Sequence, residues 1–358
     1  MDFLSKNKRV FCKLITMLIP FRNLRKKLRR KLIGKQPSIP STEIGLYHHS
    51  IYKKFYAPNY NLDHLINNQE PDIYNMSGNK MKTFFIRDIH FAHSPQSTSD
   101  YFSWDRYNFG LDVHFYTHNS MLETMGNPKK KYGYLLESEG IVPEDYKIFD
   151  INKGLNTEFE LIFTHSEKIL DKIENARFFP ACAEIWYGKP AHGGEIHDNL
   201  YQNKTKNISM VSSSKNMCHL HNLRIQLISR LSKKGLIDAY GTFDGGGNIK
   251  IAESLTKYRY SIVIENFISP YFFTERITNC FASMTIPIYL GASKIDQFFN
   301  NDGIIRINES DYENIEKILM QCSQKDYQNR FEAMMDNYNR SKKYINIHNK
   351  LYEDYFLT

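Results

Sequence analysis

The sequence predicts an α/β protein with two parallel-sheet domains, preceded by a basic amphipathic helical arm. Short apolar runs rich in β-branched residues alternate with helical patterns over most of the chain, which is typical of parallel strands joined by crossover helices. The 358 residues are too many for one ordinary core. A polar, glycine-bearing stretch at 187–205 separates the apolar runs into two groups, which favours two domains.

The N-terminal arm, residues 1–35, carries the positive charge of the protein. The whole chain has a net charge of +8, but the arm holds twelve Lys or Arg residues and one acid, so the 35 basic and 38 acidic residues that follow sum to −3. Because the chain after residue 35 is slightly negative, we do not expect it to bind nucleic acid. Apolar residues recur every three or four positions between the basic ones, at Leu14, Leu18, Phe21, Leu24, Leu28 and Leu32.

This pattern predicts a basic amphipathic helix, kinked at Pro20, that lies in the surface of an anionic membrane. Its most apolar part, Val10 to Phe21, is shorter than the ~20 residues needed to span a bilayer and lacks the cleavage site of a secretory signal. Five scattered cysteines indicate a reducing compartment. We therefore expect a cytoplasmic protein, peripheral at the inner face of the membrane. The alternative is an arm that packs on its own protein or on a partner.

The first domain is predicted at 36–190. Its beginning, 36–80, shows little periodicity and is expected to be irregular. Apolar runs then predict strands at Thr83–Ile86, Leu111–Tyr116, Tyr132–Leu136, Glu158–Phe163 and Arg177–Pro180. Several histidines lie close in sequence, as His114 and His118 do, but none joins a cluster with metal-ligand spacing.

The second domain is predicted at 205–340, followed by a helical tail at 341–358. Strands are predicted at Ile208–Ser212, Ile237–Tyr240 and Ile304–Ile307, with helices at Leu223–Lys234 and Asp311–Gln321. The last segment, Tyr327–Thr358, is expected to be helical and to pack back across the domains.

The stretch Tyr258–Gly291 is the centre of the second domain. A buried strand, Tyr260–Ile264, a helix from about Thr274 and a second buried strand, Ile286–Leu290, form a parallel βαβ unit. Polar residues collect at its carboxyl edge, where α/β proteins bind ligands: Glu265, Asn266, Thr274, Glu275 and Arg276. Free N–H groups and the dipole at the helix start are expected to favour a phosphate there.

Three short motifs follow one another in this stretch: IEN at Ile264–Asn266, TERI at Thr274–Ile277 and IPIYLG at Ile286–Gly291. Upstream lies an arginine-bearing helix in VSSSKNMCHLHNLRIQLISRL. The ordered set resembles the donor-binding signature of glycosyltransferase family 10, which contains the α-1,3-fucosyltransferases. The resemblance is strong over 207–300 and weak over 130–185. It implies a GT-B-like fold, with two Rossmann-like domains facing a cleft, the acceptor on the N-terminal side and the nucleotide sugar on the C-terminal side.

The resemblance places donor-binding residues at Ser213, Lys215, Arg224, Asn266, Phe272, Glu275 and Arg276. Arg224 falls on the family's donor-phosphate arginine, whereas Arg276 stands where lysine is usual and Phe272 where tyrosine is common. No Asp-x-Asp pair occurs in the chain, so the usual metal clamp on a diphosphate is missing. Arg224 and Arg276 are expected to neutralise the diphosphate instead. The alternatives are a solvated Arg224 and a surface pair of Arg276 with Glu275 or Glu265.

An inverting sugar transfer needs a general base that takes a proton from the acceptor hydroxyl. The candidate is Glu137, in YLLESEG at the end of a predicted strand, and its family counterpart is a glutamate in a similar context. Glu139 is the fallback, two residues further on. His165, in FTHS, also ends a strand at the cleft, where it either contacts a substrate or is structural.

These features together predict an inverting glycosyltransferase that moves L-fucose from GDP-fucose to a hydroxyl of a surface-glycan acceptor, in an α-1,3 linkage. Lipopolysaccharide or capsule biosynthesis, or protein glycosylation, is the expected context. No metal, other cofactor or nucleic-acid partner is expected. Two alternatives remain open: the same fold with another nucleotide sugar, and a non-catalytic glycan-binding relative.

Overall fold

The computed structural model describes residues 73–74, 77–87, 99–105, 108, 110–122 and 127–357. Its first sheet contains the strands β1 (Ile73–Tyr74), β2 (Lys80–Arg87), β3 (Phe102–Asp105), β4 (Val113–Thr117), β5 (Lys130–Tyr134), β6 (Leu161–Thr164) and β7 (Ala176–Phe178). The order is β1-β2-β4-β5-β6-β7, with β3 also paired to β2, and every pair except β1 with β2 is parallel. Two short helices, α1 (Ile148–Ile151) and α2 (Glu167–Lys172), belong to the connections.

The second sheet is parallel throughout and has the order β12-β11-β10-β8-β9. Its strands are β8 (Lys206–Val211), β9 (Asp238–Tyr240), β10 (Tyr258–Ile264), β11 (Ile286–Leu290) and β12 (Ile305–Arg306). The connecting helices are α3 (His219–Lys233), α4 (Ile251–Leu255), α5 (Glu275–Ala282) and α6 (Ile315–Leu319). The central strands β10 and β11 are buried almost throughout, as their apolar sequences predict.

The chain ends in three helices, α7 (Gln324–Asn329), α8 (Phe331–Ser341) and α9 (Ile347–Tyr355). The last of them returns to the first domain. Tyr352 stacks on Tyr101 at 4.8 Å between ring centroids, and Phe356 lies 5.8 Å from Phe84. The expectation that the C-terminal segment packs back across the domains is therefore confirmed.

One apolar cluster continues from the first sheet through the C-terminal helices into the second sheet. The two parallel α/β sheets thus share a core and form the GT-B-like architecture that was expected. The domain limits given above stay a prediction. The arm at 1–35 and most of 36–80 lie outside the described residues. Within the described parts of the chain, no helix is long and apolar enough to cross a membrane.

Two of the differences from the sequence-based expectations have a clear local cause. Strand β3 was missed, because its sequence FSWD has no β-branched residue and offers no alternation to detect. The predicted helix at Asp311–Gln321 was too long. A 3-10 turn at Glu309–Asp311, capped by Asn308, comes first, and α6 starts only at Ile315. The Asp311 carboxylate accepts a hydrogen bond from the backbone N–H of Asn308 at 2.7 Å and closes that turn on itself, so the helix begins one turn later.

Candidate active site

Arg224 is a buried arginine on the inner face of α3. That face also buries His221 and the apolar side chains of Leu220, Leu227, Ile228 and Leu231. The helical spacing places Arg224 one turn from the leucines on either side, so only 2% of its surface is exposed. Its Nε and Nη2 atoms have no hydrogen-bond partner in the part of the chain that the structure describes. The solvated alternative for Arg224 is therefore wrong, and a charged group with unused donors points towards the edge of the second sheet.

Further positive groups surround this guanidinium. Burial, together with the nearby charge of Arg276, lowers the pKa of Arg224 to about 9, while Glu265 and Glu275 oppose the change. Burial also lowers the pKa of His221 to about 4, helped by Arg224, Arg276 and Lys215. The neutral His221 ring accepts a hydrogen bond from the backbone N–H of Met217 at 3.2 Å. Arg224, Arg276 and Lys215 therefore act on one region, where an anion would be stabilised.

Glu265 fixes the start of α5. It is fully buried, and burial raises the pKa of its carboxyl to about 7. Its Oε1 accepts from the backbone N–H of Thr274 at 3.0 Å and its Oε2 from the Thr274 hydroxyl at 2.8 Å. A Cβ on Gly291 would collide with the Glu265 side chain, so the neighbouring strand end must be glycine. Glu265 is thus a structural cap within this site.

The expectation of free N–H groups at the start of α5 is wrong for Thr274, Glu275 and Arg276. The N–H of Thr274 is taken by Glu265, that of Glu275 donates to the Cys182 carbonyl at 2.7 Å, and that of Arg276 donates to the Thr274 hydroxyl at 3.2 Å. The sequence could not reveal this, because Cys182 comes from the connection between the domains. Side chains, rather than these backbone groups, remain available to hold a phosphate.

Glu137 joins the first domain to this site. Its Oε1 accepts from the Asn266 side-chain amide at 3.0 Å and from the backbone N–H of Ser138 at 2.8 Å. None of the described residues donates to its other oxygen, Oε2. Burial raises the pKa of the Glu275 carboxyl, and the charge of Arg276 opposes this rise. The nearby Glu137 carboxylate also raises the pKa of Glu275. The structure thereby brings Glu137, Asn266 and Glu275 together.

Glu139, the fallback base, is half-buried in the same loop. Burial is the main reason why the pKa of the Tyr146 hydroxyl is raised. Glu139 and Glu137 both lie near enough to raise it further. No hydrogen bond ties Glu139 to Asn266. The loop is pressed against the second domain at Gly140, where a Cβ would lie 3.0 Å from the Phe267 ring. Among the described residues, Glu137 rather than Glu139 is therefore the carboxylate that is hydrogen-bonded to the second domain.

Phe272 and His165 form a contact between the domains. Phe272 is only 1% exposed, and its ring centroid lies 4.6 Å from that of His165. Burial lowers the pKa of His165 to about 4, so the ring is neutral. The structural reading of His165 is the one that these contacts favour. The predicted contact of Phe272 with a donor stays a prediction.

The remaining predicted residues lie in the loop after β8. Ser213 is half-buried, its hydroxyl accepts from the backbone N–H of Lys215 at 3.4 Å, and the Lys215 side chain is exposed. Sequence reasoning missed His118, whose ring binds the backbone at Glu137. The available signal was its position just after a predicted strand at the same sheet edge. In the described ranges, no group of three or more His, Cys, Asp or Glu residues is arranged to hold a metal ion.

Comparisons with known proteins show what the second half of the chain and the fold are similar to. Residues 201–332 match the family model described as "Glycosyltransferase family 10 (fucosyltransferase) C-term". The fold is similar to a crystal structure of an alpha1,3-fucosyltransferase with GDP, at 13% identity and a TM-score of 0.46 over 82% of this chain and 96% of that one. It is also similar to TarM, at 12% identity and a TM-score of 0.41 over 67% and 53% of the two chains. The family model covers residues 201–332, so this part of the chain is similar to the C-terminal domain of glycosyltransferase family 10, the fucosyltransferase family, which supports a glycosyltransferase.

Proposed function

We propose that this protein transfers L-fucose from GDP-fucose to a hydroxyl of a surface-glycan acceptor, with inversion at the anomeric carbon and in an α-1,3 linkage. The observation that carries the proposal is the buried guanidinium of Arg224, which has unused donors at the edge of the second sheet. Burying such a charge without partners costs several kcal/mol. A donor diphosphate supplies the missing acceptors.

The diphosphate would lie between Arg224 and Arg276. Both guanidinium groups offer forked hydrogen bonds, and Lys215 adds a positive charge at the exposed side. As the sugar leaves, negative charge grows on the diphosphate, and fixed cations in a desolvated site stabilise it. This chemistry needs no metal ion.

Glu137 would act as the general base. Asn266 and the Ser138 N–H hold its Oε1, which leaves Oε2 to take the proton from the acceptor hydroxyl. Asn266 follows directly on β10 in the donor domain. One hydrogen bond therefore ties the position of the base to the position of the donor.

The donor assignment rests on the family. Arg276 and Phe272 depart from its usual lysine and tyrosine, so the same fold with another nucleotide sugar is the alternative, and a non-catalytic relative comes after it. The test incubates the protein, in chelator, with GDP-fucose and with UDP-, dTDP- and CMP-sugars, each with and without a mixture of glycan acceptors. We expect turnover of GDP-fucose that depends on acceptor and survives chelator. Turnover of a different donor alone would overturn the donor assignment, and binding without turnover of any would favour the non-catalytic relative.

The acceptor side and the location also belong to the proposal. Residues 1–35 would hold the enzyme at the cytoplasmic face of an anionic membrane, near a lipid-linked acceptor in lipopolysaccharide or capsule assembly. Flotation with vesicles of zwitterionic lipid, with and without added anionic lipid, tests this. We expect binding only to the anionic vesicles and its loss on deletion of 1–35. Equal binding by the deleted protein would contradict it.

A further inference from the structure

The peptide unit of Glu137 is held on both sides by buried side chains of the first domain. Its N–H, together with that of Leu136, donates to Nε2 of His118, both at 3.1 Å. Its carbonyl accepts from the Tyr146 hydroxyl. None of these contacts involves the carboxylate of Glu137. They fix the backbone from which the side chain extends, and the carboxylate stays available to accept a proton.

His118 sits in an unusual backbone conformation. It directly follows β4, is fully buried and has a φ of +51°, in the left-handed region that residues other than glycine seldom adopt. Such strain is kept only where the surroundings enforce it. At His118, the left-handed conformation directs the ring from the end of β4 towards the end of the neighbouring strand β5. Glu137 follows β5 in the chain.

The contacts of the ring define its protonation. Because Nε2 accepts hydrogen bonds from two N–H groups, it carries no proton, and the proton of the ring is on Nδ1. Nδ1 lies 3.3 Å from Oδ2 of the buried Asp145. The carboxylate thereby favours the tautomer that keeps Nε2 an acceptor.

Tyr146 completes the support from the carbonyl side. Its hydroxyl has one proton, which it donates to the Glu137 carbonyl, so it accepts from Nε2–H of His165 at 2.8 Å. His165 in turn packs on Phe272 of the donor domain. The peptide of the base is thus tied to both sides of the cleft.

We infer that His118, oriented by Asp145, is a positioning residue that fixes the carboxylate of Glu137 in line with the acceptor hydroxyl. The inference rests on the proposed function, because it takes Glu137 as the base. Misplacing a reacting group by about 1 Å costs on the order of 10²-fold in rate, so losing this acceptor acts on turnover. Donor affinity is untouched, since Arg224 and Arg276 lie in the other domain.

The test compares His118→Phe, which keeps the ring shape but removes the acceptor, with His118→Gln, whose side-chain oxygen can replace Nε2. The matched control is His114→Phe. His114 lies in β4, is also fully buried, and its ring contacts Tyr116. For His118→Phe we expect kcat for fucosyl transfer to fall about 10²-fold, with unchanged affinity for GDP. His118→Gln should recover most of the rate, and His114→Phe should keep it.

Hydrogen exchange of the peptide that covers residues 135–138 gives a readout independent of activity. We expect faster exchange in His118→Phe than in the wild type, His118→Gln or His114→Phe. Unchanged exchange, or unchanged kcat in His118→Phe, would overturn the inference. A drop in kcat that is equal in His118→Phe and His114→Phe would also overturn it, because a general loss of stability explains that result. If the wild type turns over no nucleotide sugar, the proposed function is overturned. The hydrogen exchange of residues 135–138 would still decide whether His118 holds the backbone of Glu137.

Discussion

At the residue scale, Arg224 distinguishes this site from an ordinary sheet edge. A helix that packs its apolar face on a sheet normally has leucine or isoleucine at such a position, and four neighbours of Arg224 on that face are of this kind. The sequence contained this signal, a single arginine within an apolar stripe. It did not reveal the burial of the guanidinium or its unused donors, because these depend on how α3 sits on the sheet.

Replacing Glu137 by Gln should abolish transfer and preserve donor binding. The amide can still pack beside Asn266 but cannot take a proton, so we expect kcat to fall by about 10² to 10⁴ with an unchanged dissociation constant for GDP. Transfer assays and GDP titration measure the two quantities. Glu139→Gln is the control, and a larger loss of kcat in Glu139→Gln than in Glu137→Gln would move the role of base to Glu139.

Glu265 predicts a pH dependence of stability in the absence of donor. Burial raises the pKa of this carboxyl from 4.5 to about 7, so the folded protein binds its proton more tightly than the unfolded chain does. The group therefore favours folding below pH 4.5, and this advantage, about 3 kcal/mol, is lost as the pH rises to about 7. Thermal unfolding should show the wild type losing stability relative to Glu265→Gln over this range. Parallel profiles, like those expected for the exposed Glu174→Gln, would contradict the prediction.

At the scale of elements, the βαβ unit from β10 to β11 was predicted almost to the residue. Its strands are continuous apolar β-branched runs, and Thr274 is a strong N-cap residue. The partners of the first N–H groups of α5 were not predictable, because Cys182 lies far away in sequence. The local sequence pattern is therefore enough to predict α5. Which groups remain free at its N-terminus depends on the tertiary fold.

Thr274→Ala should destabilise this element and weaken donor binding together. The change removes the acceptor for the Arg276 N–H and one donor to Glu265, and loss of such a cap costs about 1 to 2 kcal/mol. Because Arg276 lies in the first turn, we also expect weaker GDP binding. Urea unfolding and GDP titration measure both effects. Thr274→Ser keeps the hydroxyl and should stay close to wild type, and equal losses in the two variants would rule out the capping explanation.

At the scale of the whole molecule, the two sheets are joined by the return of α9 to the first domain. The two-domain plan could be predicted from the alternation of runs and from the polar stretch at 187–205. The docking of α9 was expected only in outline. Tyr352 of α9 packs on Phe102 of β3 and on the preceding Tyr101, and Phe356, just after α9, packs on Phe84 of β2. Of these strands, β3 had no sequence signal.

Tyr352→Ala should therefore destabilise the first domain. Tyr352 is 7% exposed and packs on Tyr101 and Phe102, and truncation of a buried aromatic side chain costs about 3 to 5 kcal/mol. Urea unfolding measures the loss. Glu353→Ala, next to it on α9, removes only a hydrogen bond from the Tyr101 hydroxyl and should cost far less. Similar costs for both would show that the ring packing is not what joins α9 to the sheet.

The central claim, that Arg224 is kept buried to hold the donor diphosphate, is tested most directly by calorimetric titration of GDP into Arg224→Met. Arg230→Met is the matched control on the same helix, where the arginine lies on the Tyr312 ring and pairs with Glu313. We expect roughly 10- to 100-fold weaker GDP binding for Arg224→Met, the loss expected from hydrogen bonds to a charged group. We also expect no loss of stability without GDP, because an unpartnered buried charge is removed. Arg230→Met should bind GDP as the wild type does. Wild-type affinity in Arg224→Met would contradict the account.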